Sequence, residues 1–184
     1  LGTDTGGSVR NPCAANGIAG LKPTRGLMSR NGIIPLGLSF DTAGPMSRSI
    51  YDVATALGAM TGVDPDDDET LTSLGKFHTD YTQFLDARSL QGARLGVLVD
   101  YEGADDSVRP VFEATKAKLA ELGATLIEVE LPEFITNRQS IHLAMRPGEF
   151  KSQIADYLAT TAPQYPKSLA ELIELSQQFK PKPG

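Results

Sequence analysis

The sequence predicts an α/β protein, part of a fold with one mixed sheet and helices packed on its faces. A strand-like run, a helical pattern and a second strand-like run follow one another between residues 93 and 131. Apolar residues also recur at helical spacing over 50–60 and over 138–160. At 184 residues the chain is long enough to bury one sizeable core.

Residues 1–48 are rich in Gly, Pro, Ser and Thr, a composition typical of turns, short strands and closely packed loops. Short apolar runs between these residues argue against disorder, because they supply surface that the protein can bury. A helix is predicted over 50–60, where Val53 and Leu57 lie at helical spacing behind Ser49, a suitable capping residue.

The acidic run Asp-Pro-Asp-Asp-Asp-Glu at 64–69 looks at first like a calcium-binding loop. It lacks the alternating ligand positions and the central glycine of an EF-hand. We therefore expect a solvated acidic linker here and no metal site.

The second half of the chain contains a strand–helix–strand unit. Strands are predicted at 93–100 and 124–131, with a helix at 106–122 between them. Such a unit implies parallel strands joined by a right-handed crossover. Further helices are predicted at 138–160 and 168–178.

These elements divide the chain into three segments. Residues 1–63 form the predicted core, 64–92 an acidic linker with a short helix, and 93–184 the strand–helix–strand unit with the C-terminal helices. We expect them to form one continuous domain that lacks its N-terminal part, because the chain opens on Leu1 inside a glycine-rich loop.

Charge and composition exclude several classes of partner. The net charge is −6 and the isoelectric point is near 4.9, and the basic residues are scattered, so nucleic acid is not expected to bind. No apolar run approaches the roughly 20 residues that span a bilayer, so no membrane partner is expected. The single cysteine, Cys13, requires no oxidising compartment, and a cytoplasmic location is predicted.

The segment whose residues suit catalysis is the turn around Ser8. Two adjacent glycines, Gly6 and Gly7, let backbone N–H groups approach a ligand closely, and a helix beginning near Ser8 would direct more N–H groups to the same place. Such donors stabilise the oxyanion of acyl transfer. A phosphate-binding P-loop does not fit, because no Lys-Ser/Thr pair follows, and Arg10 breaks the nucleophile-elbow pattern. By itself the pattern remains compatible with a simple turn.

Four ordered blocks extend this turn into a family resemblance. They are Gly-Thr-Asp-Thr-Gly-Gly-Ser-Val-Arg-Asn-Pro at 2–12, Gly-Leu-Lys-Pro-Thr-Arg-Gly at 20–26, Ser-Arg-Asn-Gly-Ile-Ile-Pro at 29–35 and Asp-Thr-Ala-Gly-Pro-Met-Ser-Arg-Ser at 41–49. Together they resemble the amidase signature family. Less specific similarity to its general and peptide-amidase branch occurs at 149–151, 157–158 and 168–173.

The resemblance implies hydrolysis of a carboxylic amide by a Ser–cis-Ser–Lys triad, with Ser8 as the nucleophile. The backbone N–H groups of Thr5, Gly6, Gly7 and Ser8 would form the oxyanion hole. The substrate would be a small-molecule or peptide amide, and neither a metal nor an organic cofactor is implied.

Asp4 and Arg10 flank the nucleophile turn, and we expect them to support the loop through an ion pair or backbone hydrogen bonds. In the family, the lysine and the cis-serine precede the nucleophile, whereas all eight lysines of this chain follow Ser8. Lys22 lies in a block that the family uses structurally. We therefore expect an upstream segment of the parent enzyme to supply both residues, and the isolated chain to be inactive.

Three alternatives stay open. A Ser–His pairing would need His78 or His142, which are both expected to be ordinary surface or core residues. An amidase-like subunit of a glutamine-dependent transamidase would need protein partners, and that branch usually shows Gln where this chain has Asn11. A non-catalytic interaction module would retain the fold without the chemistry. The sequence predicts neither the identity of the amide nor the oligomeric state.

Overall fold

The structure, a computed structural model, describes residues 1–98, 106–132 and 138–179. The chain divides into two compact units, one of Leu1–Gln83 with His142–Gly184 and one of Phe84–Ile141. The predicted α/β class is confirmed. The strands of the described residues, however, form three separate two-stranded sheets and not one mixed sheet.

Very short strands connect the beginning of the chain to residues 43–47. Strand β1 (Gly2–Thr3) pairs antiparallel with β3 (Ala43–Gly44), and β2 (Ala19–Gly20) pairs antiparallel with β4 (Met46–Ser47). The first ladder joins the first sequence block to the fourth, and the second ladder joins the start of the second block to the fourth. The glycine in β2 is needed for close approach, because a Cβ on Gly20 would lie 2.2 Å from the sulfur of Cys13.

Helix α1 (Arg10–Asn16) begins two residues after Ser8, near the predicted position. Its first turn is prepared by a hydrogen bond from the Asn11 N–H to the Gly7 carbonyl, with 2.7 Å between N and O. The helix ends at Gly17, whose φ of 62° lies in the left-handed region that glycine adopts readily.

Helix α2 (Ile50–Met60) confirms the prediction for 50–60. Ser49 caps it, since its hydroxyl accepts a hydrogen bond from the Asp52 N–H at 3.1 Å. The buried face of α2 contributes Leu57 to a small core with Met28 and Ala43.

The acidic segment is only partly the solvated linker that the sequence predicted, because Pro65, Asp66 and Asp68 are exposed but Asp67 is buried. Asp67 is only 8% exposed, and its carboxylate accepts hydrogen bonds from the Arg30 side chain, at 2.9 and 2.5 Å, and from the Arg30 N–H at 2.7 Å. Asp67 also caps a 3-10 helix at Asp68–Ser73, where Thr70 is fully buried. The sequence pattern missed this fold because the partner of the acidic residues lies far away along the chain.

The second unit contains the predicted strand–helix–strand. Strand β5 (Arg94–Leu98) pairs in parallel with β6 (Thr125–Val129), and helix α3 (Arg109–Glu121) lies between them in the chain. Residues 99–100 of the first predicted strand lie outside the described residues. The right-handed crossover stays a prediction. A 3-10 turn at Thr82–Phe84 precedes these elements.

Two C-terminal helices follow, α4 (Arg138–Ala159) and α5 (Leu169–Gln177), close to the predicted ranges. Ser168 caps α5 by accepting a hydrogen bond from the Glu171 N–H at 3.2 Å. Ile154 and Leu158 of α4 are buried.

The observed units differ from the predicted segments 1–63, 64–92 and 93–184. The first unit continues to Gln83 and includes the chain from His142 onward. The reason is that Asp67 is bonded to Arg30 and that α4 is bonded to the loop at residues 38–39. Both are long-range contacts that no local pattern reveals.

Candidate active site

Ser8 lies at an exposed turn between β1 and α1. None of the described residues forms a hydrogen bond with its hydroxyl. The preceding Gly7 has φ of 133°, a conformation that residues with a side chain rarely adopt, and a Cβ there would lie 2.8 Å from the Asn11 side-chain nitrogen. The turn therefore needs glycine at position 7 and leaves Ser8 exposed.

A single buried carboxylate organises the turn. Asp4 has no exposed surface, and its oxygens accept hydrogen bonds from the N–H groups of Gly7 at 2.6 Å, Val9 at 3.2 Å and Arg10 at 3.3 Å. The Arg10 side chain adds two more hydrogen bonds, from Nε at 3.0 Å and from a terminal nitrogen at 3.2 Å. The loop wraps around Asp4 and bonds to it on both sides of Ser8.

These bonds keep Asp4 ionised. Burial alone would raise the pKa of Asp4, but the hydrogen bonds from the Arg10 side chain and from the backbone N–H groups lower it well below its usual range. The same contact raises the pKa of Arg10. Asp4 and Arg10 thus form an ion pair beside the Ser8 turn.

Lys22 binds the other side of Asp4. Its ammonium group donates to the Asp4 carbonyl, to the Asp4 carboxylate at 3.2 Å and to the Phe40 carbonyl at 3.2 Å. No hydrogen bond joins it to Ser8. Lys22 therefore connects the second sequence block to the first, as a structural cation in a network of acceptors.

A second buried carboxylate, Asp41, fixes the start of the turn. Asp41 accepts a hydrogen bond from the Thr5 hydroxyl and from the N–H groups of Leu36 at 2.8 Å and Gly37 at 3.0 Å. Asp41, in the fourth sequence block, thus joins the residues that follow the third block to the nucleophile turn.

The predicted oxyanion donors differ in their availability. No described residue accepts a hydrogen bond from the backbone N–H of Thr5, Gly6 or Ser8. The Gly7 N–H, in contrast, donates to Asp4 at 2.6 Å, so a role for it in the oxyanion hole requires that it share or leave that carboxylate. Gly6 is exposed, and its N–H faces no competing acceptor among the described residues.

His142 lies beside the Ser8 turn. The sequence did not predict this position of His142. A Cβ placed on Gly6 would be 2.9 Å from Cε1 of His142, and the imidazole meets the Phe40 ring edge-to-face with 4.8 Å between centroids. The other histidine, His78, contacts Tyr81 instead. Nothing local in the sequence distinguishes His142 from His78, because the contact joins residues from opposite ends of the chain.

Residues of α4 that follow His142 in the chain form hydrogen bonds with the same region. Its Glu149 accepts a hydrogen bond from the Ser39 N–H at 3.0 Å, and its Gln153 accepts one from the Leu38 N–H at 3.0 Å. The loop that carries Phe40 and Asp41 is therefore bonded to α4.

Within the described residues there is no group of three or more His, Cys, Asp or Glu side chains arranged to hold a metal ion. Among those same residues, no helix combines the length and the apolar character that crossing a bilayer requires.

The comparisons with known proteins agree on one family. The Amidase family model matches residues 1–181. A glutamyl-tRNA(Gln) amidotransferase subunit of Methylobacillus flagellatus is 42% identical over 158 residues, which cover 85% of this chain and 31% of that protein. The chain thus spans about a third of the length of this relative.

Solved structures agree. An amidase family protein from Bacillus anthracis superposes with a TM-score of 0.85 at 34% identity, covering 96% of this chain and 34% of that one. Native peptide amidase from Stenotrophomonas maltophilia superposes with a TM-score of 0.82 at 40% identity, covering 97% and 36% respectively. The four sequence blocks, the geometry of the Ser8 turn and these matches agree that the chain belongs to the amidase family, the amidase signature family that its motifs resemble.

Proposed function

We propose that the full-length protein hydrolyses a carboxylic amide through an acyl-enzyme on Ser8. The observation that carries this proposal is an exposed serine hydroxyl, free of hydrogen bonds to the described residues, on a turn whose backbone is held by the buried Asp4. Membership of the amidase family supports the same reaction.

In the proposed reaction, the Ser8 oxygen attacks the amide carbonyl carbon and its proton passes to a base. The carbonyl oxygen becomes an oxyanion that accepts hydrogen bonds from the Thr5 and Gly6 N–H groups. The C–N bond then breaks and the amine leaves with a proton. Water attacks the resulting ester in the same geometry, releases the carboxylic acid and restores the Ser8 hydroxyl.

The base that accepts the Ser8 proton is inferred from the family resemblance. Lys22 is bonded to Asp4 and Phe40, and so we assign it to the support of the loop and not to proton transfer. We propose that a lysine and a cis-serine from an upstream segment of the full-length protein complete the site.

We propose a small-molecule or peptide amide as the substrate. The similarity to a peptide amidase at 40% identity supports this choice. A second candidate is the amidase-like subunit of a transamidase, which the 42% identity to an amidotransferase subunit favours. Release of ammonia from glutamine only in the presence of partner subunits would select the second candidate; turnover of simple or peptide amides by the protein alone would select the first.

The direct test is labelling of the full-length protein with a fluorophosphonate, which reacts with activated serines. We expect stoichiometric labelling at Ser8, complete loss of labelling in Ser8→Ala, and parallel loss of amide hydrolysis. The exposed Ser89 in the second unit provides a matched control, since Ser89→Ala should label like the wild type. A wild-type protein that neither labels nor hydrolyses any amide would show a binding module that retains the fold without the chemistry.

A further inference from the structure

The residues before Ser8 are not all held in the same way. The Thr5 hydroxyl donates to Asp41, and the Gly7 N–H donates to Asp4. Between them, Gly6 has no hydrogen bond from its N–H to any described residue. Since glycine has more backbone freedom than any other residue, a contact from outside the turn helps to restrict the conformation of Gly6.

That contact is the imidazole of His142. From the position that a Cβ on Gly6 would occupy, Cε1 of His142 lies 2.9 Å away and Nε2 lies 3.5 Å away. The φ of Gly6 is not in the left-handed region, so the requirement for glycine at this position comes from the imidazole and not from backbone strain.

The imidazole is itself fixed against the network that holds Asp4. His142 contacts the Phe40 ring edge-to-face, and the Phe40 carbonyl accepts the hydrogen bond from Lys22. Four residues further along α4, the aliphatic part of Arg146 lies 3.7 Å from the Cβ position of Gly37. One face of α4 therefore contacts Gly6, Gly37 and Phe40.

One of the two ring nitrogens of His142 forms no hydrogen bond with the described residues. Its Nε2 is buried and has no hydrogen-bonding partner among the described residues. Buried polar atoms are seldom left in this state, and each one requires an explanation.

From these contacts we infer that His142 is a positioning residue for the oxyanion side of the site. Its ring forms a wall against the Gly6 α-carbon and holds the Gly6 N–H in the direction that the developing oxyanion needs, because a donor contributes fully only when it is aligned in advance. This inference rests on the proposed function. It also connects the docking of α4 to the geometry of the Ser8 turn.

The test is a double-mutant cycle in the full-length protein with Gly6→Ala, His142→Ala and the two combined. We expect His142→Ala to lower kcat by about 10- to 100-fold with little change in KM, since small misplacements of reacting groups have effects of this size. Gly6→Ala should lower kcat at least as much, and the double variant should be no worse than Gly6→Ala alone, because removal of the imidazole relieves the contact with the new methyl group.

Two further variants separate positioning from a general structural role. His142→Phe, which restores a flat ring without the Nε2 atom, should recover part of the kcat lost in His142→Ala. His78→Ala, which removes the histidine that contacts Tyr81, should keep the wild-type kcat. The affinity for a trifluoromethyl ketone, which forms an oxyanion on Ser8, should fall in His142→Ala by the same factor as kcat/KM.

Wild-type kcat in His142→Ala, additive losses in the cycle, or an unchanged affinity for the trifluoromethyl ketone would each overturn the inference. Failure of the proposed function would look different, since the wild-type protein itself would then show neither labelling at Ser8 nor amide turnover.

Discussion

At the scale of single residues, Asp4 has the widest influence on the candidate site. It has no exposed surface, yet it remains ionised because five hydrogen bonds from Gly7, Val9 and Arg10 and one from Lys22 converge on its two oxygens. The bonds reach it from both sides of Ser8. A carboxylate at this position therefore acts as the template on which the nucleophile turn folds.

We predict that Asp4→Asn destabilises the protein by about 2–3 kcal/mol at pH 7, because the amide places a donor among groups that all donate and leaves cations without their counter-charge. Urea unfolding followed by circular dichroism would measure the loss. Asp86→Asn is a suitable control, because the Asp86 side chain is 57% exposed and should contribute little. Equal stabilities of the two variants would contradict the template role.

We also predict that the effect of Asp4→Asn on stability depends on pH. The pKa of Asp4 is lowered in the folded protein relative to its ordinary value of 3.8, so the charged form favours folding at pH values above that. The contribution is complete at neutral pH and declines as the pH falls below about 4 toward the folded pKa. The difference in stability between wild type and Asp4→Asn should therefore be largest near pH 7 and should shrink on acidification. A constant difference from pH 7 to pH 3 would exclude this origin.

At the scale of elements, α4 is more than a packing helix. Its Glu149 and Gln153 accept hydrogen bonds from successive N–H groups of the loop, those of Ser39 and Leu38, and thereby cap a segment that has no strand or helix of its own. Asp41 follows directly and binds Thr5. The order of the loop thus depends on side chains from a distant part of the sequence.

We predict that Glu149→Ala lowers stability by about 1 kcal/mol, the usual size of one hydrogen bond, and accelerates hydrogen exchange at the Ser39 amide. Exchange measured by NMR would report both the local opening and its spread toward Leu38. Lys151→Ala, at an exposed position on the same helix, serves as the control. If exchange at Ser39 is equally slow in both variants, the bond from α4 does not order the loop.

Helices and longer strands could be predicted from the sequence because each carries its own periodic pattern. This holds for α2 and α3 and for the parallel pair of β5 and β6. The four strands of the first unit have two residues each, too few to show any alternation, and their partners are distant in the chain. The acidic segment was mispredicted for a related reason, since local composition records the charge of Asp67 but not the presence of Arg30.

The residues of the candidate site could likewise be predicted only in part from the sequence. The Ser8 turn and its flanking Asp4 and Arg10 could be identified from a contiguous motif. The position of His142 could not, because its contact with Gly6 joins two residues that are 136 positions apart in the chain.

At the scale of the whole molecule, the candidate site belongs to one of the two units. The residues that form it, among them Asp4 and His142, all lie in the unit of Leu1–Gln83 with His142–Gly184. The strand–helix–strand of Phe84–Ile141 is a separate compact unit.

We predict that the 184-residue polypeptide expressed alone folds around Asp4 but hydrolyses no amide, because none of its described lysines is bonded to Ser8 and the serine hydroxyl is a weak nucleophile without a base. Release of ammonia or amine, measured against the full-length protein at equal concentration, gives the comparison. Turnover by the short polypeptide that disappears in Ser8→Ala would show that a base is present within it.

The clamp on both sides of Ser8 has a consequence for how the nucleophile is aimed. Because the N–H groups of Gly7 and Val9 are bonded to one carboxylate, the main chain is restrained on both sides of Ser8, and the hydroxyl keeps its rotation about the Cα–Cβ bond. That rotation has three staggered minima. Attack therefore becomes a choice among three directions, and a neighbouring proton acceptor can select the reactive one with a single hydrogen bond.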